Sequence, residues 1–344
     1  MRTELLQQIC NAPGVPGFED AVQEIATREL KLSCDTVNRD HIGNVIGIKK
    51  ATNPPENGKP PIKLMIDAHS DEVSMMVTDI TGKGTLKFRM MGGLSSEVAQ
   101  SQRVLIHSDT PIRGVIMAKS GNDGKIAPLT DLEIDTGLSA EEVEKVVKLG
   151  SPVTFENDAS LLNGKVWVGR NFDNRIGNFC MLEAVRLVKN TGVDIYAVSS
   201  VQEEVGLRGA RAAAAKIQPD IGLAIDHPIS SRERTSRSVC VVGEGTGIYL
   251  ADKLTIGHPK LVEYLFKVCK DNNIPHQLNI GGGTNAAAIQ QSPGSAIVTT
   301  LGAPVCYPHS TVQISHLDDM QATIDLLVKA LESAHEFYES LDYV

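Results

Sequence analysis

From Gly169 to the carboxyl end, helical and strand patterns alternate, and that alternation leaves few architectures open. Helix-like periodicity over 176–189 leads into a short β-branched run at 195–201. The succession repeats as 206–217 then 220–226, 259–272 then 276–280, and 284–291 then 296–302. A final helix over about 317–341 sets Met320, Ile324, Leu327, Leu331 and Ala334 on one face at helical spacing. Runs such as 195–201 are apolar throughout, the pattern of strands buried on both faces. Alternating elements of this kind predict an α/β fold with a mostly parallel sheet covered on both faces.

The amino-terminal segment has the same texture, with helices expected at 3–11 and 18–31 and strands at 44–48 and 62–68. The stretch 51–61, rich in Pro, Asn, Gly and Lys, is expected to be an exposed loop. After Ala68 the texture changes. Short β-like runs at 75–80, 85–90, 103–107, 114–118 and 152–155 are separated by glycine and polar turns. One helical signal at 139–147 opens with Ser139-Ala-Glu-Glu142, a capping-box pattern in which the glutamate reaches back to the cap amide. The expected organisation is an α/β domain from 1–70 and 166–344, with a small β-rich domain, barrel or sandwich, inserted at 71–165.

Composition narrows the function classes. The 344 residues carry a formal net charge of −9 with the two signs interspersed. No basic stripe suggests a nucleic-acid partner. No apolar run approaches the ~20 residues of a membrane-spanning helix, so no membrane partner is expected. The start, Met-Arg-Thr-Glu-Leu-Leu, reads as a helix rather than the apolar core of a signal peptide. The six cysteines (10, 34, 180, 240, 269, 306) are scattered, without a Cys-x-x-Cys. Reduced core thiols in a cytoplasmic protein are expected.

Within this frame one pair of residues stands out. Glu203 and Glu204 sit where the apolar run 195–201 ends and a glycine turn begins. Like charges at the mouth of a buried strand repel each other and resist desolvation, and a cation would relieve both costs. Four other segments place ligand-type groups beside apolar strands: His69-Ser-Asp71, Asp173 in Arg170-Asn-Phe-Asp173-Asn-Arg175, Asp226-His227-Pro228, and His309-Ser310. Taken singly, each has an ordinary explanation. His-x-Asp suits a turn, Asp173 suits a helix cap, Asp226 suits a turn before His-Pro, and Glu203 suits the N-terminus of the next helix. Taken together, His69, Asp173, one of Glu203 and Glu204, Asp226 and His309 are expected to make a metal-binding set, because open α/β sheets collect ligands outside the carboxyl ends of their strands. His227, next to a candidate ligand, is left ambiguous. A Cys306–His309 nucleophile lacks an orienting partner.

Mixed imidazole and carboxylate donors suit zinc, with cobalt or manganese as alternatives. The number of donors fits two ions about 3.5 Å apart that share a carboxylate and a water, with a further carboxylate free to move protons. Amide hydrolysis is the expected reaction.

Five segments in order carry a family resemblance: His69-Ser-Asp71-Glu-Val, Gly169-Arg-Asn-Phe-Asp173-Asn-Arg-Ile-Gly177, Glu203-Glu-Val-Gly-Leu-Arg-Gly209, Gly282-Gly-Thr-Asn285 and Pro308-His309-Ser310. They resemble the co-catalytic metallo-aminopeptidases of the glutamyl, deblocking and tetrahedral group, over almost the whole chain. The resemblance implies that His69 and Asp226 bind one metal, Glu204 and His309 the other, and Asp173 both. It implies Glu203 as general base and Asp71 as the carboxylate orienting His69. It further implies peptide substrates, and a homo-oligomer in which the inserted domain helps dimers assemble into a tetrahedral dodecamer. Some relatives carry an endoglucanase label, which this ligand set does not support.

The chain departs from the family pattern at Ser70, Ser74, Asn285 and Cys306-Tyr-Pro-His309. No departure removes a ligand, and Asn285 and 306–308 are expected to border the substrate. Three alternatives stay open: an amidohydrolase acting on N-acyl amino acids or amino sugars, a glycosidase, and a scaffold with a vestigial site. The glycosidase is disfavoured because paired carboxylates there flank the bond about 5–9 Å apart, which adjacent glutamates do not naturally provide.

Overall fold

The computed structural model describes residues 1–341 apart from 56–58, 122–125, 235–238 and 295. Part of the loop expected at 51–61 therefore lies outside the described residues. An eight-stranded sheet runs from edge to edge through Thr36–Arg39, Val45–Lys49, Asp194–Ser200, Lys63–His69, Ile221–Ile225, Ile297–Gly302, Thr246–Ala251 and His276–Ile280. The four central strands, Asp194–Ser200 to Ile297–Gly302, are mutually parallel. Antiparallel pairings appear only toward the two sides. Strand Lys63–His69 shows why its sequence is apolar throughout. Leu64, Ile66 and Ala68 join one core, with residues of helices Thr3–Asn11, Phe172–Leu187 and Leu317–Glu339. Met65 faces the other way, into a core with residues of Arg208–Ile217 and Ala286–Gln290. Alternate side chains serve opposite faces, and both faces are covered.

Six antiparallel strands, Ser74–Ile80, Leu86–Met91, Glu133–Asp135, Ile112–Ile116, Arg103–Ile106 and Pro152–Phe155, close into a barrel. Its own core includes Met75, Val77, Leu86, Ile106, Ile116, Ile134 and Val153. Of the two β architectures left open by the sequence, closure selects the barrel, which removes exposed strand edges. Helix Ala140–Val146 carries the expected reciprocal capping box between Ser139 and Glu142.

The differences from expectation are positional. The run at 114–118 forms a strand at Ile112–Ile116. Strand Val166–Gly169, which precedes Asp173, lies outside the large sheet and pairs with Ser160–Asn163 and Gln313–His316 in a small antiparallel sheet. The helix expected from 176 begins at Phe172, with a kink at Asp173 and Asn174 where the backbone is not helical.

Candidate metal centre

Three adjacent parallel strands end together. Lys63–His69 ends on His69, Asp194–Ser200 runs into Glu203 and Glu204, and Ile221–Ile225 runs into Asp226 and His227. Parallel neighbours release their next residues on the same side of the sheet, which makes a crevice there. Asp173 reaches this crevice from the kink in helix Phe172–Leu187. Asn174 holds the kink in place: its Nδ2 donates to Ile225 O at 2.6 Å, and its Oδ1 accepts the Gly177 N–H at 3.1 Å. A Cβ on Gly177 would lie 2.1 Å from that Oδ1, so the close approach demands glycine. His309 arrives from the loop between Ile297–Gly302 and Gln313–His316.

The donor groups meet around Asp173. His69 Nε2 lies 3.2 Å from Asp173 Oδ1 and 3.9 Å from Glu203 Oε2. His309 Nε2 lies 3.2 Å from Asp173 Oδ2 and 3.6 Å from Glu204 Oε2. His227 Nε2 also lies 3.2 Å from Asp173 Oδ2. Two sets have donor atoms mutually within 4.8 Å: His69, Asp173 and Glu204, and Asp173, Asp226 and His227. The cleft has a volume of about 600 Å³. Gly206, Leu207, Ile229, Leu254, Gly282, Gly283 and Pro308 complete its walls, and the barrel contributes Gly93.

Asp71 is fully buried and takes no part in lining the cleft. Its Oδ1 accepts the Glu203 N–H at 2.9 Å and its Oδ2 accepts the Glu204 N–H at 3.0 Å. Oδ1 also lies 3.5 Å from His69 Nδ1. One carboxylate therefore braces the backbone of both glutamates and sits behind the histidine. Beneath it, Glu72 accepts from Arg170 Nε at 2.8 Å and from Arg175 at 3.2 Å, pinning the start of the Asp173 segment.

The seven residues singled out in the sequence thus gather at one place: six line the cleft and Asp71 supports it. One expectation fails and another holds in part. Asn285 does not border the cleft. It is 2% exposed, and its Nδ2 donates to Asp67 Oδ1 at 2.6 Å and to Ser200 Oγ at 3.0 Å, bracing two strands from beneath. Of 306–308, Cys306 is buried and only Pro308 lines the cleft. Glycine-rich segments before short helices do approach ligands in many folds, but the direction of the Asn285 side chain depends on packing.

Charge decides what the cleft can hold. Asp173, Glu203, Glu204 and Asp226 line it, and among the described residues no lysine or arginine does. Burial pushes Glu203 up to about 8, with Asp226, Asp71 and Asp173 adding repulsion against the pull of His69. Burial likewise raises Asp226 to about 6 and holds Glu204 well above the usual carboxylate range. Glu204 Oε1 is buried without a hydrogen-bond partner. Such acids shed their charge by keeping protons unless a cation enters. Convergent imidazole and carboxylate donors, an unpartnered oxygen and, among the described residues, the lack of a lysine or arginine lining the cleft fit divalent metal ions.

Known proteins resemble the chain over nearly its whole length. A family model described as M42 glutamyl aminopeptidase matches residues 43–326. The lysyl aminopeptidase of Pyrococcus furiosus is 30% identical over 345 residues, covering 96% of this chain and 96% of that protein. An aminopeptidase structure from the archaeon Desulfurococcus kamchatkensis superposes with a TM-score of 0.93 at 32% identity, covering 99% of this chain and 97% of that one. The TET1 peptidase of Pyrococcus horikoshii, described as able to assemble into a tetrahedron or a large octahedral shell, superposes with a TM-score of 0.86 at 29% identity, covering 96% and 98%.

Proposed function

Because the chain belongs to the M42 glutamyl aminopeptidase family and is a peptidase of aminopeptidase type, we propose that it removes amino-terminal residues from peptides with two divalent ions, zinc before cobalt or manganese. His69 and Asp226 would hold one ion, Glu204 and His309 the other, and Asp173 both. The observation that carries this reading is the cluster of carboxylates and histidines around Asp173. When bound, the ions supply Lewis acidity toward water and toward the scissile carbonyl.

Glu203 is the proton carrier. It is the cleft carboxylate outside both close donor sets among the described residues, and Asp71 fixes its backbone. It takes a proton from the attacking water and delivers it to the leaving amine. His69 is held by Asp71 from behind, which fixes the ring that faces Asp173. Leu207, Ile229 and Leu254 supply apolar wall for the substrate.

The test pairs elemental analysis with turnover of peptides bearing free or acylated amino ends. The protein should carry two ions, release free amino-terminal residues, and stop when chelated. Glu203→Gln should keep its ions and lose about 10²–10⁴-fold in kcat, the usual worth of a positioned acid–base group. Cleavage of acylated substrates alone would select the amidohydrolase instead. We further propose that the chain assembles as a homo-oligomer, a tetrahedral dodecamer built from dimers through the β-rich domain at 71–165. The assembly of the TET1 relative supports this reading.

A further inference from the structure

His227 has no task in the five-ligand set, yet it lies against Asp173 and is less exposed than His309. It follows Asp226 directly, past the carboxyl end of strand Ile221–Ile225, with its side chain 17% exposed. Its position is tightly set. Its backbone N–H donates to Asp226 Oδ1 at 2.8 Å, and its carbonyl accepts the Tyr249 hydroxyl. The ring is oriented as well. Nδ1 lies 3.3 Å from Pro228 O, a carbonyl that can only accept, so Nδ1 carries the proton. With Nδ1 so engaged, Nε2 is the atom that faces the cleft, where an ion would replace the proton it shares with Asp173. Nε2 lies 3.2 Å from Asp173 Oδ2, the same distance at which His309 approaches that oxygen. The donor atoms of Asp173, Asp226 and His227 fall within 4.8 Å of one another.

We propose that His227 is a further donor to the metal centre, taking an ion together with Asp173 and Asp226. The proposal rests on the reading of the cleft as a metal site. The adjacent pair then acts as a two-armed ligand from one strand end. Asp226 supplies a hard carboxylate oxygen and His227 a borderline nitrogen, a mixture that favours zinc or cobalt over magnesium.

The test is made on the full chain, stripped of metal and reloaded. In His227→Ala loaded with cobalt(II), loss of a ligating nitrogen should change the cobalt d–d absorption from that of the wild type. A folded His227→Ala with wild-type cobalt content and an unaltered d–d spectrum would overturn the proposal. In parallel, zinc titration of His227→Ala should weaken one of the two ions more than ~100-fold, beyond the 10–100-fold typical of a residue that merely orients a ligand. A loss within that smaller range, with an unaltered cobalt spectrum, would make His227 an orienting partner and would also overturn it. If His227→Ala fails to fold, His227→Phe, which keeps a ring and has no donor atom, takes its place; wild-type zinc affinity with an unaltered cobalt spectrum counts against the proposal. Wild type that takes up neither metal would sink the underlying metal reading, whereas two ions in the wild type with indifferent His227 variants would sink this proposal alone.

Discussion

Asp71 shows how much one buried side chain can organise. Two backbone amides share its carboxylate, which also lies 3.5 Å from His69 Nδ1 while that nitrogen faces the Asp71 carbonyl at 3.2 Å, and a neutral amide in its place cannot match that set. Asp71→Asn should turn an NH₂ toward one of the two glutamate N–H groups. The expected cost is about 1–3 kcal/mol of stability from the mismatched buried groups. Metal affinity and kcat/KM should each fall roughly 10–100-fold, the usual effect of losing a carboxylate behind a histidine ligand. Denaturant unfolding and zinc titration would separate the two, and unchanged affinity would show that Asp71 serves the backbone alone. At this scale the sequence was informative where a polar residue interrupts an apolar run, as at His69 and Glu203-Glu204. It was uninformative where only side-chain direction matters. Asn285 turns away from the cleft toward Asp67, and His227 turns into it. Neither direction follows from neighbours along the chain.

The segment Glu203-Glu-Val-Gly-Leu-Arg-Gly209 is conspicuous as a sequence, and its glycines have physical reasons. Gly206 has φ +123°, a backbone region that side chains rarely tolerate. A Cβ on Gly209 would lie 2.3 Å from Val201 O and 2.4 Å from Asn44 Oδ1. That contact presses the start of helix Arg208–Ile217 against the end of the strand that delivers both glutamates. Gly209→Ala should therefore cost about 1–3 kcal/mol, as overpacked sites do, and reduce activity by displacing the glutamates. Gly82→Ala, with nothing within 4 Å of the added carbon, should stay within about 0.5 kcal/mol. Equal urea midpoints for the two variants would refute the packing argument. Element types came through well from periodicity, because helix and strand periods depend on local spacing. Partners did not. Val166–Gly169 has the look of a main-sheet strand, but it pairs with Gln313–His316 instead. Strand Thr246–Ala251, which pairs with both His276–Ile280 and Ile297–Gly302, was not anticipated.

At the scale of the molecule, the barrel and the α/β sheet keep separate cores yet share the cleft. A Cβ on Gly92 would lie 3.0 Å from Glu204 Oε2, and Gly93 stands beside the His309 ring. The β-rich segment thus forms part of the wall over the candidate metal ligands as well as the surface proposed for assembly. Mass photometry of the full chain should find particles of twelve subunits; a monomer at all concentrations would refute the assembly. Local pattern along the chain suffices for the kinds of element, the interruption of the α/β pattern by a β-rich stretch, and the seven polar residues that gather at the cleft. Those are written in local periodicity and in the coincidence of ligand-type residues beside several apolar strands. The closure of the barrel, the partner of Val166–Gly169, the role of Asp71 as a backbone brace and the inward turn of His227 follow from tertiary packing alone. Each of these depends on which distant segments pack together, and packing distributes that choice over the whole chain.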